Sequence, residues 1–151
     1  MDPESAFTCA LIHNIGELLI QSTLPEEAGL INLAIEKGSS RVEAQREMLG
    51  YDYAQLGAEL AKRWNLSASF VDAIAQQLDP LSHDPVSKEA VLIRLSVFVS
   101  FAWHAGVPAQ AIIARFPKPL ADQLGLDPAT LADQLEQLHE QGNALADLLT
   151  Q

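Results

Sequence analysis

"QREMLGYDYAQLGAELAKRWNLS" (residues 45–67) carries a helix end and two helix starts in quick succession. Gly50 is the residue type that closes a helix, because without a Cβ it enters the left-handed region at no steric cost. Asp52 follows as an N-cap residue, whose carboxylate can take orphan N–H groups of a first turn. Leu56, Leu60 and Trp64 then recur every four residues, the apolar stripe of a helix. Ser67 offers the next cap, and nowhere in the stretch do apolar and polar residues alternate as in a strand.

The same punctuation continues outward in both directions. "SRVE", from Ser40 to Glu43, matches a capping box and opens the helix that Gly50 ends. "LPEEAGLINLAIEKG" begins with Pro25, places Glu26 and Glu27 where the helix dipole favours anions, and closes on Gly38. Its Leu30, Ile31, Leu33, Ala34 and Ile35 make one apolar face. Asp2-Pro3 starts a mostly apolar first helix expected to run to about Gln21. Downstream, the Ser67 helix passes through Phe70, Val71 and Ile74 and is stopped by Asp79-Pro80. "DPLSHDP" (Asp79 to Pro85) is a connecting loop that holds His83 and Asp84, both expected to be solvated. Ser87 opens a long apolar helix ending near Gly106, and Pro108 begins a short one. Pro117 and Pro119 bracket a turn, and Asp127-Pro128 start the last helix. The expected fold is all-α, a compact bundle of seven to nine helices forming one domain over residues 1–151, with no internal repeat or linker.

Composition bounds the function. The chain is 48% hydrophobic and 19% charged, a globular balance, with a net charge of −11. That charge disfavours nucleic acid and anionic membrane surfaces, which reward Lys and Arg. The uncharged run from Leu95 to Ala114 has a spanning length but contains Ser96, Ser100, His104, Gly106 and Pro108, so it reads as a buried helix. Cys9 is the only cysteine, so no internal disulfide forms. A reducing cytoplasm is the natural compartment, and the thiol is expected to be a buried hydrophobe. There is no Ser-His-Asp set, glycine-rich phosphate loop or aromatic-basic stripe.

"AFTCALIHNIGELLI", then "QREMLGYDYAQLGAELAKRWNLS", then "VDAIAQQLDP" together resemble the C-terminal part of an HDOD domain. HDOD domains are the signalling relatives of the HD metal-dependent phosphohydrolases. The family pattern runs close to L-L-H-D-I-G-K-L, then E-x-L-G-x-D-H-A-x-V-G-A-x-L-x-x-x-W, then A-I-x-x-H-H. Gly50, Asp52, Ala54, Gly57, Leu60 and Trp64 fall at its spacing, and the match covers Ala6 to about Pro80. Residues 87–151 share the helix pattern more weakly and are expected to complete the bundle. The resemblance implies a further helical region ahead of the first helix. The chain is therefore expected to be the C-terminal piece of a longer signalling protein, with a naturally short version as the alternative.

The resemblance also implies a site with one or two divalent metals that activate water against a phosphoester. This chain departs from that pattern at nearly every ligand position. His13 remains, but Asn14 replaces the Asp and brings no charge to a cation. Tyr53 stands where the pattern has His after Asp52, and Gln76 and Gln77 stand where paired His would fall. The late helix offers only Val97 and its neighbours. Glu17 replaces the family's Lys, so a phosphoester is expected to meet repulsion there. His13, Asn14, Glu17, Asp52 and Tyr53 are read as vestigial site positions, with no metal or other cofactor expected. The fallback is a metal on His13 with Glu17 one turn away, against a hydrogen-bonded core imidazole with Asn14 bonding across a helix interface. His104, beside Trp103, is read as helix-end packing, and His139 as exposed.

In the last helix Leu131, Leu135, Leu138, Gly142, Leu145 and Leu149 follow a 4-3-4-3-4 spacing. Either this stripe closes the chain's own bundle or its leucines are a partner interface. The resemblance implies receiver or cyclic-dinucleotide signalling domains as partners, and uncovered helix faces predict a homodimer. The expected function is a non-catalytic signalling module that works by protein–protein contact. The alternatives are a metal-dependent phosphohydrolase acting on a nucleotide or cyclic dinucleotide, and a sensor with a small ligand in the vacated metal pocket.

Overall fold

The computed structural model describes residues 2–149, with side chains at 129 and 143–149 outside the description. It is helical throughout, with no strand among the described residues. The helices are α1 (Pro3–Ile12), α2 (Ile15–Thr23), α3 (Pro25–Glu36), α4 (Arg41–Leu49), α5 (Tyr53–Arg63) and α6 (Ala68–Gln76). A short 3-10 turn, Pro80–Ser82, precedes α7 (Lys88–His104), α8 (Ala109–Ala114), α9 (Lys118–Leu124) and α10 (Pro128–Leu149). The residues expected as one domain divide into two compact units, Met1–Arg94 and Leu95–Gln151, with the boundary inside α7.

Local chemistry accounts for the helix ends. Asp2 accepts from Ser5 N–H and starts α1, with Pro3 at the first helical position. The Ser40–Glu43 capping box forms in both directions and starts α4, which Gly50 ends at φ 79°. Asp52 forms a second capping box with Gln55 at the head of α5. The end of α5 departs from the expected stripe. Asn65 takes φ 55°, Asn65 N–H bonds Lys62 O and Leu66 N–H bonds Ala61 O, which is a Schellman ending. That reversal carries Leu66 onto the core and leaves Trp64 half outside. At Lys118 the chain forms α9 where the two prolines suggested only a turn.

The expected first helix is two helices. The chain leaves helical geometry at Asn14 (φ −102°, ψ 15°), so α1 packs on α6 while α2 packs on α5. Gly16 explains the second contact: a Cβ there would lie 1.9 Å from Tyr53 O and 2.7 Å from Gly57 N, so α2 and α5 cross backbone to backbone.

In the unit Met1–Arg94, Ile20, Ala28, Ile31 and Ala44 form one core cluster, backed by Tyr53 and Leu56. Ala58, Ala61, Val71 and Ile74 form a second, and Cys9, Ala73 and Ile93 a third. In the unit Leu95–Gln151, Val99, Ala109, Ile112 and Leu135 pack together, and Phe98 meets Phe116 edge to face at 6.1 Å.

Candidate functional site

Glu17 sits in the first turn of α2. Arg41 Nη1, from α4, donates to its Oε1 at 2.6 Å, and Gln21 Nε2 donates to the same oxygen at 2.8 Å. Its other oxygen accepts from Gln45 Nε2 at 2.5 Å. Gln45 is completely buried and uses both ends of its amide, because its Oε1 accepts from Tyr53 N–H at 2.9 Å. One glutamine thereby ties α2 and α4 to the first residue of α5. The Arg41 charge also offsets the Glu17 carboxylate. That pairing weakens the repulsion expected between Glu17 and a phosphoester.

Asp52 is 1% exposed and fully engaged. Its Oδ1 accepts from Gln55 N–H at 2.9 Å, while Arg46 Nε and Nη2 donate to Oδ2 at 2.9 and 2.7 Å. The carboxylate therefore caps α5 and holds the last turn of α4. Tyr53 packs its ring on the core beside it, and burial pushes its phenol above the usual tyrosine range.

His13 lies at the break between α1 and α2. Its Nδ1 is 2.7 Å from Ala10 O, a spacing that suits an Nδ1–H donor and leaves Nε2 as the acceptor. The backbone carbonyl of His13 accepts from Gln77 Nε2 at 2.8 Å, and the same nitrogen reaches Ile74 O at 3.0 Å. Asn14 is exposed and makes no side-chain cap bond to α2. The interface bond expected of Asn14 is instead made by Gln77, which can reach a carbonyl that the broken helix leaves without its own partner. Gln76 Oε1 accepts from Ser87 N–H at 3.0 Å ahead of α7. Val97 is an exposed apolar residue on α7.

The side chains at His13, Asn14, Glu17, Asp52 and Tyr53 do not fit a divalent cation. His13 offers one imidazole nitrogen, and Asn14 brings no charge. The carboxylates of Glu17 and Asp52 are occupied by Arg, Gln and backbone donors. Among the described residues no three His, Cys, Asp or Glu side chains are grouped to hold a metal ion.

The remaining expected residues fall elsewhere. Leu135 is buried and Leu131 half-buried in the core of the second unit. Of the two readings of the stripe, their place in that unit's own packing fits the one in which it closes the chain's own bundle. Leu138 is 56% exposed, while Leu145 and Leu149 lie outside the described side chains. His139, expected to be exposed, is half-buried and stacks on Trp103 with ring centroids 4.8 Å apart. His104 ends α7 with its Nδ1 2.8 Å from Ser100 O. Cys9 is buried, and burial, with a smaller push from Glu89, raises its thiol to about 11.

Gln45 and Gln77 are the residues the sequence reading missed as contributors. Their signal was available in principle, since each stands on the apolar side of a helix where burial demands a partner.

Comparison with known proteins bears on the family and the fold. The HDOD domain profile matches residues 1–80. The crystal structure of a "Putative phosphohydrolase" from Shewanella amazonensis SB2B superposes with a TM-score of 0.81 at 34% identity. The match covers 93% of this chain and 52% of that one, so the chain spans about half that protein's length. An "Uncharacterized protein" of Treponema pallidum (strain Nichols) is 31% identical over 70 residues, which are 46% of this chain and 14% of that protein.

Proposed function

Because this chain belongs to the HDOD domain family, we propose that it is a non-catalytic signal-transduction module that docks helical faces onto a protein partner. The observation that carries this reading is the commitment of the polar groups at the family's site positions to structure. Glu17 pairs with Arg41 and Gln45, Asp52 caps α5 and pairs with Arg46, and Gln77 bonds the His13 carbonyl. The fallback metal site on His13 would need the Glu17 carboxylate free for a cation. Here that carboxylate joins α2 to α4.

The docking role is supported by exposed large apolar side chains, among them Phe7, Leu11, Leu18 and Phe101. The partners proposed are receiver or cyclic-dinucleotide signalling domains, or a second copy of the chain as a homodimer. A single buried cysteine fits a cytoplasmic setting, and no helix among the described residues is long and apolar enough to cross a membrane.

A second reading, a metal-dependent phosphohydrolase, is favoured by the name of the Shewanella protein. The two are separated by assaying the purified chain with Mn²⁺ against bis(p-nitrophenyl) phosphate. The docking reading expects no release above buffer. Release that disappears in His13→Ala would establish the hydrolase.

A further inference from the structure

We propose that α1 is a detachable strap, closed over α6 and bolted at its pivot by the side-chain amide of Gln77. This inference is independent of whether the chain is catalytic. Among the residues of α1 only Cys9 is buried, whereas α5 buries Ala54, Gly57, Ala58 and Ala61. Its outer side carries Phe7 and Leu11 at 66% and 68% exposure, so most of its apolar surface contributes nothing to holding it down. Segments with few buried contacts open at free energies well below global unfolding.

The pivot is the joint at His13–Asn14, where Asn14 leaves helical geometry. Helix continuity does not brace it, and Asn14 adds no cap to α2. What braces it is a tertiary bond from 64 residues away: Gln77, 2% exposed, donates Nε2 to His13 O. Beside that amide, α1 rests on Cys9 against Ala73, Ile93 and Phe70, with Ile12 touching the neighbouring cluster. Lifting α1 uncovers Phe70, Ala73 and Ile93 as an apolar floor.

Cys9 is a built-in reporter. While α1 is closed the thiol is buried and its raised pKa keeps it protonated, so disulfide exchange requires opening. The test is the rate of Cys9 reaction with Ellman's reagent in the parent chain and in Gln77→Met, which keeps the side-chain volume and removes the amide. Hydrogen exchange of α1 and α5 amides is followed on the same samples. In the parent, Cys9 should react and α1 should exchange faster than α5. Gln77→Met should speed both Cys9 labelling and α1 exchange by about tenfold or more, the effect of leaving a buried carbonyl without its donor, with α5 lagging behind. Cys9 labelling in step with α5 exchange in the parent would overturn the strap. A Gln77→Met chain with an unchanged Cys9 rate, or with α1 and α5 accelerated equally, would overturn the bolt.

Discussion

Placing a methyl group on Gly16 tests the helix crossing that organises the first unit. The added Cβ would stand 1.9 Å from Tyr53 O and 2.7 Å from Gly57 N, and both obstacles are backbone. No rotamer change relieves such a clash. Restoring an ordinary contact of about 3.5 Å requires α2 and α5 to part by roughly 1.5 Å. Overpacking of this kind costs about 1–3 kcal/mol, at the upper end when the surroundings cannot yield. The separation also pulls on the Glu17–Gln45–Tyr53 bonds that cross the same seam, and each buried polar group left unpaired adds about 1–3 kcal/mol. Gly16→Ala should therefore lose about 3–5 kcal/mol, a large part of the roughly 5–15 kcal/mol of a typical domain. Gly29→Ala in α3 is the control, since no atom lies within 4 Å of its added Cβ, and it should gain about 0.5–1 kcal/mol. Urea unfolding in a Trp103→Phe background isolates the unit Met1–Arg94, because Trp64 is then the only tryptophan. A Gly16→Ala chain within about 0.5 kcal/mol of its parent would refute the crossing.

Two further outcomes follow from the same network and core. Asp52→Ala should lower urea stability by about 2 kcal/mol through loss of the α5 cap and the Arg46 pair, while Asp52→Asn, which keeps a capping oxygen, should lose about half as much; equal losses would argue against the cap. The native fold raises the Cys9 thiol from the ordinary 9.0 to about 11, so the folded state keeps a proton that the unfolded state releases. Stability should then fall as pH rises from about 9 to about 11 and flatten beyond, by no more than about 2–3 kcal/mol; Cys9→Ala should remove that part of the slope, and identical alkaline profiles would contradict a buried native thiol.

The ends of helices were legible because capping is local chemistry. Ser40, Gly50 and Asp52 act through neighbours three or four residues away, and each does in the structure what its residue type suggests. The departures arise where a distant partner decides. The His13–Asn14 break exists because α1 and α2 pack on different helices, and neither helix is close in sequence. Trp64 continues the every-four spacing, yet the Asn65 reversal gives its core place to Leu66. Gln77 reads as a polar residue where a ligand is missing and Gln45 carries no assigned role, while the use of each depends on His13 O or Tyr53 N–H arriving from another element. The leucine spacing of α10 could not distinguish self-packing from partner-packing, because both bury the same stripe; the structure assigns Leu131 and Leu135 to self-packing.

We propose that the polar groups around His13 are structural and hold no catalytic cation. Equilibrium dialysis of the purified chain against Mn²⁺, with bound metal counted per chain in the parent and in His13→Ala, addresses it most directly. No stoichiometric binding is expected in either. One tightly held ion per chain, lost on His13→Ala substitution, would contradict it.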